Sequence, residues 1–396
     1  MESELKDLSS KHAKIQPSDS THDDASAKDD RPLLKPDSSS AADYNIQELE
    51  KKFAAYVRND VYGAMGRGQL PLKEKLLLGI ALVTLLPLRV IFGMTIVVVY
   101  YLICRICTLF SAPNREEEQD DYAHLGGWRR SVIVRSGRFL SRSLLFVVGF
   151  YWISETRKDS AACTQENSKN EGNHLSEEQE RPGAIVSNHV SYLDILYHMS
   201  SSFPSFVAKR SVAKIPLVAM CFLWIKCLGC VYVQRESKSS DFKGVAGVVT
   251  DRVHEANQNK SAPMMMLFPE GTTTNGDYLL PFKTGAFLAG APVVPVILRY
   301  PYQRFSPAWD SITGVRHVVL LLCQFVNHME VIHLPIYYPS QQEKDDPKQY
   351  ANNVRRLMAT EGNLILSDIG LAEKRIYHAA LNGNNRPPSV LHQKDD

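Results

Sequence analysis

From about residue 182 onward, short apolar runs alternate with longer amphipathic stretches. Ala184-Ile185-Val186, Phe206-Val207-Ala208-Lys209, Gly229 to Arg235, Met264 to Phe268 and Ala291 to Leu298 are compact runs that predict strands. Val318 to Phe325 and Val331 to Tyr338 predict two more. Between them, Ile195, Leu196 and Met199 fall on one helical face. Ile215 to Leu228 predicts an apolar helix, Phe242 to Asn257 an amphipathic one and Pro347 to Ile369 a long one. This order predicts an α/β domain over 182–370.

The first part of the chain follows a different pattern. Leu76 to Cys104 is long and apolar, interrupted by Pro87 and Arg89. A membrane span needs about 20 such residues, and proline removes a backbone donor and favours a break. The stretch predicts one tilted span or a helical hairpin that dips in and returns. Ser131 to Ile153 predicts a second membrane-associated segment, with Arg135, Arg138 and Arg142 on one face and an apolar end; a second full span is the alternative. Ile46 to Val57 predicts a short helix and Arg115 to Asp121 an acidic connector. The resulting division is a disordered N-terminal tail (1–45), a membrane-anchoring helical region (46–155), a flexible polar insert (156–181), the α/β domain (182–370) and a C-terminal tail (371–396).

Composition removes several function classes. A net charge of +2, with no basic stripe interleaved with aromatics, excludes a nucleic-acid platform. The seven cysteines do not make a disulfide scaffold. Cys104/Cys107 and Cys227/Cys230 have C-x-x-C spacing, but no histidines stand at zinc-site spacing, so no metal is expected. No EF-hand loop is present. Asp29 to Leu34 has the form of an acidic dileucine sorting signal, ending in Leu33-Leu34.

The candidate chemistry begins at Asn188 and His189, in the loop expected to leave the first of these strands. Asp194 stands five residues beyond His189, and Ser191 is the expected helix N-cap, which would turn Asp194 back toward the histidine. An imidazole takes a proton near neutral pH, and a carboxylate on its other nitrogen fixes tautomer and orientation. An ordinary capping or core hydrogen bond is the simpler use of such a pair. Phe268-Pro269-Glu270-Gly271-Thr272 comes about eighty residues later, where Gly271 permits close backbone approach to a ligand. Arg235 ends another strand with a planar cation suited to a phosphate.

Taken in order, these blocks resemble the PlsC-type glycerolipid acyltransferase family. Asn188, His189 and Asp194 match its N-H-x-x-x-x-D block, and Gly229 to Arg235 its G-x-x-x-x-x-R strand. Phe268 to Thr272 match F-P-E-G-T, and Val293 to Val296 a V-x-P-V-like strand. Gln234 departs from the family's frequent aspartate. The F-P-E-G-T-x-T-N loop, followed by Phe282-Lys283-Thr284-Gly285-Ala286-Phe287, narrows the likeness to plant lysophosphatidylethanolamine (lysophospholipid) acyltransferases.

The resemblance implies a PlsC-like α/β catalytic domain with N-terminal membrane-embedded helices. His189 would be the general base and Asp194 its orienting partner. Asn188, Arg235, Glu270, Gly271, Thr272 and Lys283 would bind substrate. Acyl-CoA would be the co-substrate and a lysophospholipid the acceptor, with no metal and no redox cofactor, at the cytosolic face of the endoplasmic reticulum membrane; a post-Golgi or endosomal membrane is the alternative. Acylation of glycerol 3-phosphate or lysophosphatidate, and CoA-independent transacylation, remain open. The absence of a G-x-S-x-G elbow counts against a hydrolase, and the intact His189/Asp194 pair against an inactive scaffold.

Overall fold

The computed structural model of the protein describes residues 46–112, 114–116, 119–122, 125–159, 180–209, 231–233 and 245–382. The expected N-terminal tail and its Leu33-Leu34 pair, most of the polar insert, the helix over Ile215 to Leu228, the Cys227/Cys230 pair, Arg235 and residues 383–396 lie outside the described residues.

The first helices are α1 (Ile46–Lys52), α2 (Leu72–Val83), α3 (Leu85–Cys107) and α4 (Gly127–Val148), and between α3 and α4 the acidic connector pairs Asn114–Glu116 with Gln119–Asp121 as a short antiparallel hairpin. They are followed by β1 (Ile153–Arg157), β2 (Ala184–Ser187), α5 (Leu193–Ser201), β3 (Ser205–Lys209), β4 (Val231–Val233) and α6 (Val245–Gln258). Then come β5 (Met265–Leu267), β6 (Tyr278–Leu279), β7 (Val293–Arg299), α7 (Gly314–Leu322) and β8 (Met329–His333). The last elements are α8 (Gln341–Asp345), α9 (Pro347–Gly362), β9 (Ile365–Leu366) and α10 (Leu371–Leu381).

Seven strands form one sheet in the order β1-β8-β7-β2-β5-β3-β4. Neighbours run parallel, apart from the antiparallel pair β7/β8. β2 lies near the middle, and all four of its residues are buried. Its side chains alternate between two cores. Ile185 faces α3, α4 and α5, packing in a cluster with Tyr100, Ile133, Leu145 and Tyr197. Ala184 and Val186 face α6 and α9, with Val253, Tyr350 and Met358. Covering both faces lets a parallel strand be apolar throughout, and each large side chain buried this way contributes about 1.5–3 kcal/mol.

The structure corrects several expected elements. Val318 to Phe325 is not a strand: Gly314–Leu322 is a helix. His317, Leu320 and Leu321 are buried, while Val315 and Val318 are exposed, a helical rather than alternating pattern. The helix expected to reach Ile369 stops at Gly362, because Asn363 takes a left-handed conformation (φ 49°). The polar insert was expected from residue 156, yet Ile153–Arg157 is an edge strand paired in parallel with β8. The expected C-terminal tail begins with helix α10, whose Tyr377 is buried against Phe53.

The apolar N-terminal stretch divides at Thr84, three residues before Pro87. Pro87 sits in the first turn of α3, where its missing N–H has no helical partner to lose. Arg89 does not interrupt a membrane face. Its guanidinium is buried and donates to the carbonyls of Leu322, Gln324 and Phe325 at the end of α7. Beyond it, α3 exposes Val90, Ile91, Phe92, Val99, Leu102 and Ile106. It is the one helix among the described residues long and apolar enough to cross a membrane. Its other side packs on α4, where Gly137 permits the close crossing: a Cβ there would stand 2.2 Å from the Phe203 ring and 2.4 Å from the Tyr100 hydroxyl. α4 ends at Gly149 (φ 108°) rather than running to Ile153. Of its basic face, Arg138 donates to the Ser200 carbonyl and Arg142 to the carbonyls of Phe150 and Tyr151, while Arg135 is exposed.

Candidate active site

β2 and β5 are adjacent and parallel, with Val186 opposite Leu267. Their carboxyl ends therefore emit the two motif loops side by side, the usual place for a site in an open parallel sheet. The His189 ring stacks on Phe268, centroids 4.1 Å apart and planes 19° from parallel. This contact brings the distant motifs together.

Asp194 lies fully buried in the first turn of α5. Its Oδ2 is 2.8 Å from His189 Nδ1 and accepts the backbone N–H groups of Val190 (2.8 Å) and Ser191 (3.0 Å). Its Oδ1 accepts the Tyr300 hydroxyl at 2.5 Å. A carboxylate surrounded by donors is an acceptor, so Nδ1 carries the ring hydrogen and Nε2 keeps its lone pair. The His189 side chain is 20% exposed, so this second nitrogen stays within reach of a ligand. α5 has Tyr192 at its start and no side-chain cap, so Ser191 is not its N-cap; Asp194 instead reaches back to the N–H groups of the loop residues Val190 and Ser191. Ser191 Oγ is buried without a hydrogen-bond partner among the described residues.

Glu270 holds the histidine from behind. Its Oε1 accepts the His189 backbone N–H at 2.7 Å and its Oε2 accepts that of Leu280 at 2.9 Å. The Thr274 N–H donates to the His189 carbonyl at 3.0 Å. Both peptide groups of the histidine are thus fixed by the second motif loop. Burial pushes Glu270 up to about 8, while its two backbone N–H bonds pull the other way.

Sequence reasoning placed Asn188 and Glu270 on the substrate side. The structure places both inside. Glu270 is 3% exposed, and the Asn188 amide donates to the Leu298 carbonyl (2.9 Å) and accepts its N–H (2.8 Å), joining the end of β2 to β7. Gly271, Thr272 and Lys283 remain on the accessible edge. Gly271 has φ 70°, the left-handed region that favours glycine, and the end of the exposed Lys283 side chain lies against it, with Cε 3.0 Å and Nζ 3.2 Å from where a Cβ would stand. Arg235 is outside the described residues.

Four contributors were missed. Tyr300 could have been found by strand alternation, since it shares a face with Leu298. Thr273, Trp309 and Lys374 carry no local signal. Among the described residues, no group of three His, Cys, Asp or Glu side chains is placed to hold a metal ion.

The Acyltransferase family model matches residues 162–299. An Arabidopsis thaliana protein named lysophospholipid acyltransferase LPEAT1 is 63% identical over 413 residues, covering 100% of both chains. LPEAT2 of the same plant, also named a lysophospholipid acyltransferase, is 30% identical over 268 residues; the match spans 65% of this chain and 44% of that one. The crystal structure of PlsC from Thermotoga maritima aligns with 71% of this chain and 97% of its own, at 17% identity and a TM-score of 0.41. On full-length identity to the first of these relatives, the chain belongs to the PlsC-type acyltransferase family, on its lysophospholipid acyltransferase branch.

Proposed function

We propose that the protein is an acyl-CoA-dependent lysophospholipid O-acyltransferase that esterifies the free sn-2 hydroxyl of lysophosphatidylethanolamine. The observation that carries this is the His189–Asp194 contact at 2.8 Å, which leaves Nε2 as the free base beside an accessible loop. Nε2 removes the hydroxyl proton as the oxygen attacks the thioester carbonyl. Asp194 stabilises the imidazolium that forms. The tetrahedral intermediate collapses, the carbon–sulfur bond breaks, and the proton returns to the departing CoA thiolate. A positioned base of this kind supplies roughly 10²–10⁴-fold in rate. The steps balance without a metal or redox cofactor.

Gly271, Thr272 and Lys283 form the edge where the acceptor's glycerol and phosphate oxygens bind, with Arg235 as a further phosphate partner. The exposed apolar faces of α2, α3 and α4, including Leu76, Val83, Ile91, Phe139 and Phe146, support docking on the bilayer from which the lipid enters. We place the site on the cytosolic face of the endoplasmic reticulum, where acyl-CoA is available.

The test compares membranes carrying the wild type and His189→Ala, supplied with labelled oleoyl-CoA. Lysophosphatidylethanolamine, lysophosphatidylcholine, lysophosphatidate and glycerol 3-phosphate are the acceptors. We expect His189-dependent labelling, strongest on lysophosphatidylethanolamine, and unchanged membrane association of the variant. Preference for lysophosphatidate or glycerol 3-phosphate would replace the acceptor, transfer without acyl-CoA would make the protein a transacylase, and full activity in His189→Ala would sink the mechanism.

A further inference from the structure

We infer that Lys374, on the last helix, is a positioning residue that fixes the glutamate loop against the histidine loop; the inference rests on the acyl transfer proposed above. Lys374 is 9% exposed, and its Nζ donates to the Thr273 carbonyl (2.7 Å), Thr273 Oγ1 (2.7 Å) and the Trp309 carbonyl (3.2 Å). Those three acceptors use all three ammonium N–H groups. The acceptors lie on segments that hold the base. Thr273 Oγ1 donates to the Trp309 carbonyl at 2.5 Å, and the Trp309 N–H donates to the Val190 carbonyl at 2.9 Å. Thr274, next to Thr273, donates to the His189 carbonyl. His189-Val190, Thr273-Thr274 and Trp309 therefore form a closed ring of hydrogen bonds, two between backbones and one through the Thr273 hydroxyl, and the Lys374 ammonium ties two of its three segments together.

A lysine placed here for packing alone would be a poor choice. Burying an ammonium is costly unless it is paired, and Lys374 has no ion pair among the described residues. Its compensation comes from the three acceptors, the attraction of the Asp310 and Glu270 carboxylates, and the Tyr56 ring, whose centroid is 5.4 Å from Nζ. Burial pulls its pKa down to about 8. Methionine would fill the same space without these costs, and would take the ammonium donor from the Thr273 carbonyl and leave the Trp309 carbonyl with the Thr273 hydroxyl alone.

Lys374 is buried and its hydrogen bonds reach Thr273 and Trp309 rather than Gly271, Thr272 and Lys283 on the accessible edge, so its loss acts through the placement of the base, on turnover. Small displacements of reacting groups cost up to about 10²-fold. The experiment uses full-length protein in membranes or detergent micelles. Lys374→Met is compared with wild type and with Met358→Ala, a truncation in the core cluster between the sheet and α9, which contains none of His189, Val190, Thr273, Thr274 and Trp309. We expect Lys374→Met to lower kcat roughly 10- to 100-fold. Its KM for acyl-CoA and lysophospholipid should stay within about threefold of wild type. Amide hydrogen exchange should quicken in peptides covering 186–194, 268–276 and 305–313. Met358→Ala should lower Tm at least as far, yet keep its kcat per folded molecule. The inference is overturned if Lys374→Met retains wild-type kcat, loses no more than Met358→Ala, or leaves exchange in the three peptides unchanged. A wild type that acylates no lysophospholipid, with faster exchange in Lys374→Met, would remove the proposed function and leave the positioning role standing.

Discussion

At the scale of single residues, His189 is held by more groups than its ring contact alone suggests. Its Nδ1 faces Asp194, its N–H is taken by Glu270, its carbonyl by Thr274, and its ring face by Phe268. Asp194 receives four donors in total. In Asp194→Asn the amide oxygen keeps the Oδ2 position, which faces Nδ1 and two backbone N–H groups, and the NH₂ turns to the Tyr300 hydroxyl, which can accept. What is lost is the negative charge that stabilises the imidazolium. Losing it should lower kcat by about 10²–10⁴-fold, the worth of a positioned general base. Steady-state kinetics on protein whose folding has been checked by thermal melting measures it; a fall of less than tenfold would mean Asp194 only holds the loop. The His189/Asp194 pair is legible in the sequence because here base and carboxylate stand five residues apart within one motif. Ser191 has the chemistry of a cap, as any small hydroxyl before a helix does, but the helix starts at Tyr192 with no side-chain cap. Family resemblance alone puts Glu270 on the substrate side; its burial behind the histidine is a product of packing.

At the scale of elements, the site depends on two strand ends and on the helices that frame them. The strands β2 and β5 were legible as short apolar runs followed by polar loops. Helix α7 was misread because Val318-Val319-Leu320-Leu321-Leu322 is equally apolar on any face, and a short run of this kind fits a strand or a buried helix. Arg89 decides what anchors this helix. Its guanidinium caps α7 by taking carbonyls at its carboxyl end, and so links the apolar helix α3 to the catalytic domain. Arg89→Ala should cost about 2–4 kcal/mol, since several buried carbonyls lose their donor at once. Thermal unfolding in micelles measures the loss. An unchanged Tm would mean that α3 and the α/β domain are stabilised independently of this contact.

At the scale of the whole molecule, stability should respond to acid through buried histidines. Burial lowers both His198 and His317 from the usual 6.5 to about 3. Between those values the unfolded chain binds protons that the folded chain excludes. Their contribution is therefore complete above pH 6.5 and is lost as pH falls toward 3. Tm measured from pH 7 down to 5 should fall, and His317→Gln should flatten the slope; an identical slope would show that His317 is solvated. The sequence by itself determined the α/β order, the apolar N-terminal region and the two motif loops. Each of these rests on local periodicity or on residue types that the chemistry requires close together in the chain. Tertiary structure alone decided that Asn188 and Glu270 are internal supports, that Tyr300 completes the Asp194 shell, and that residues 371–381 form a helix delivering Lys374 to the site. Those assignments depend on which strands become neighbours and on which polar atoms are then left to find partners across long stretches of chain, and no local pattern encodes either.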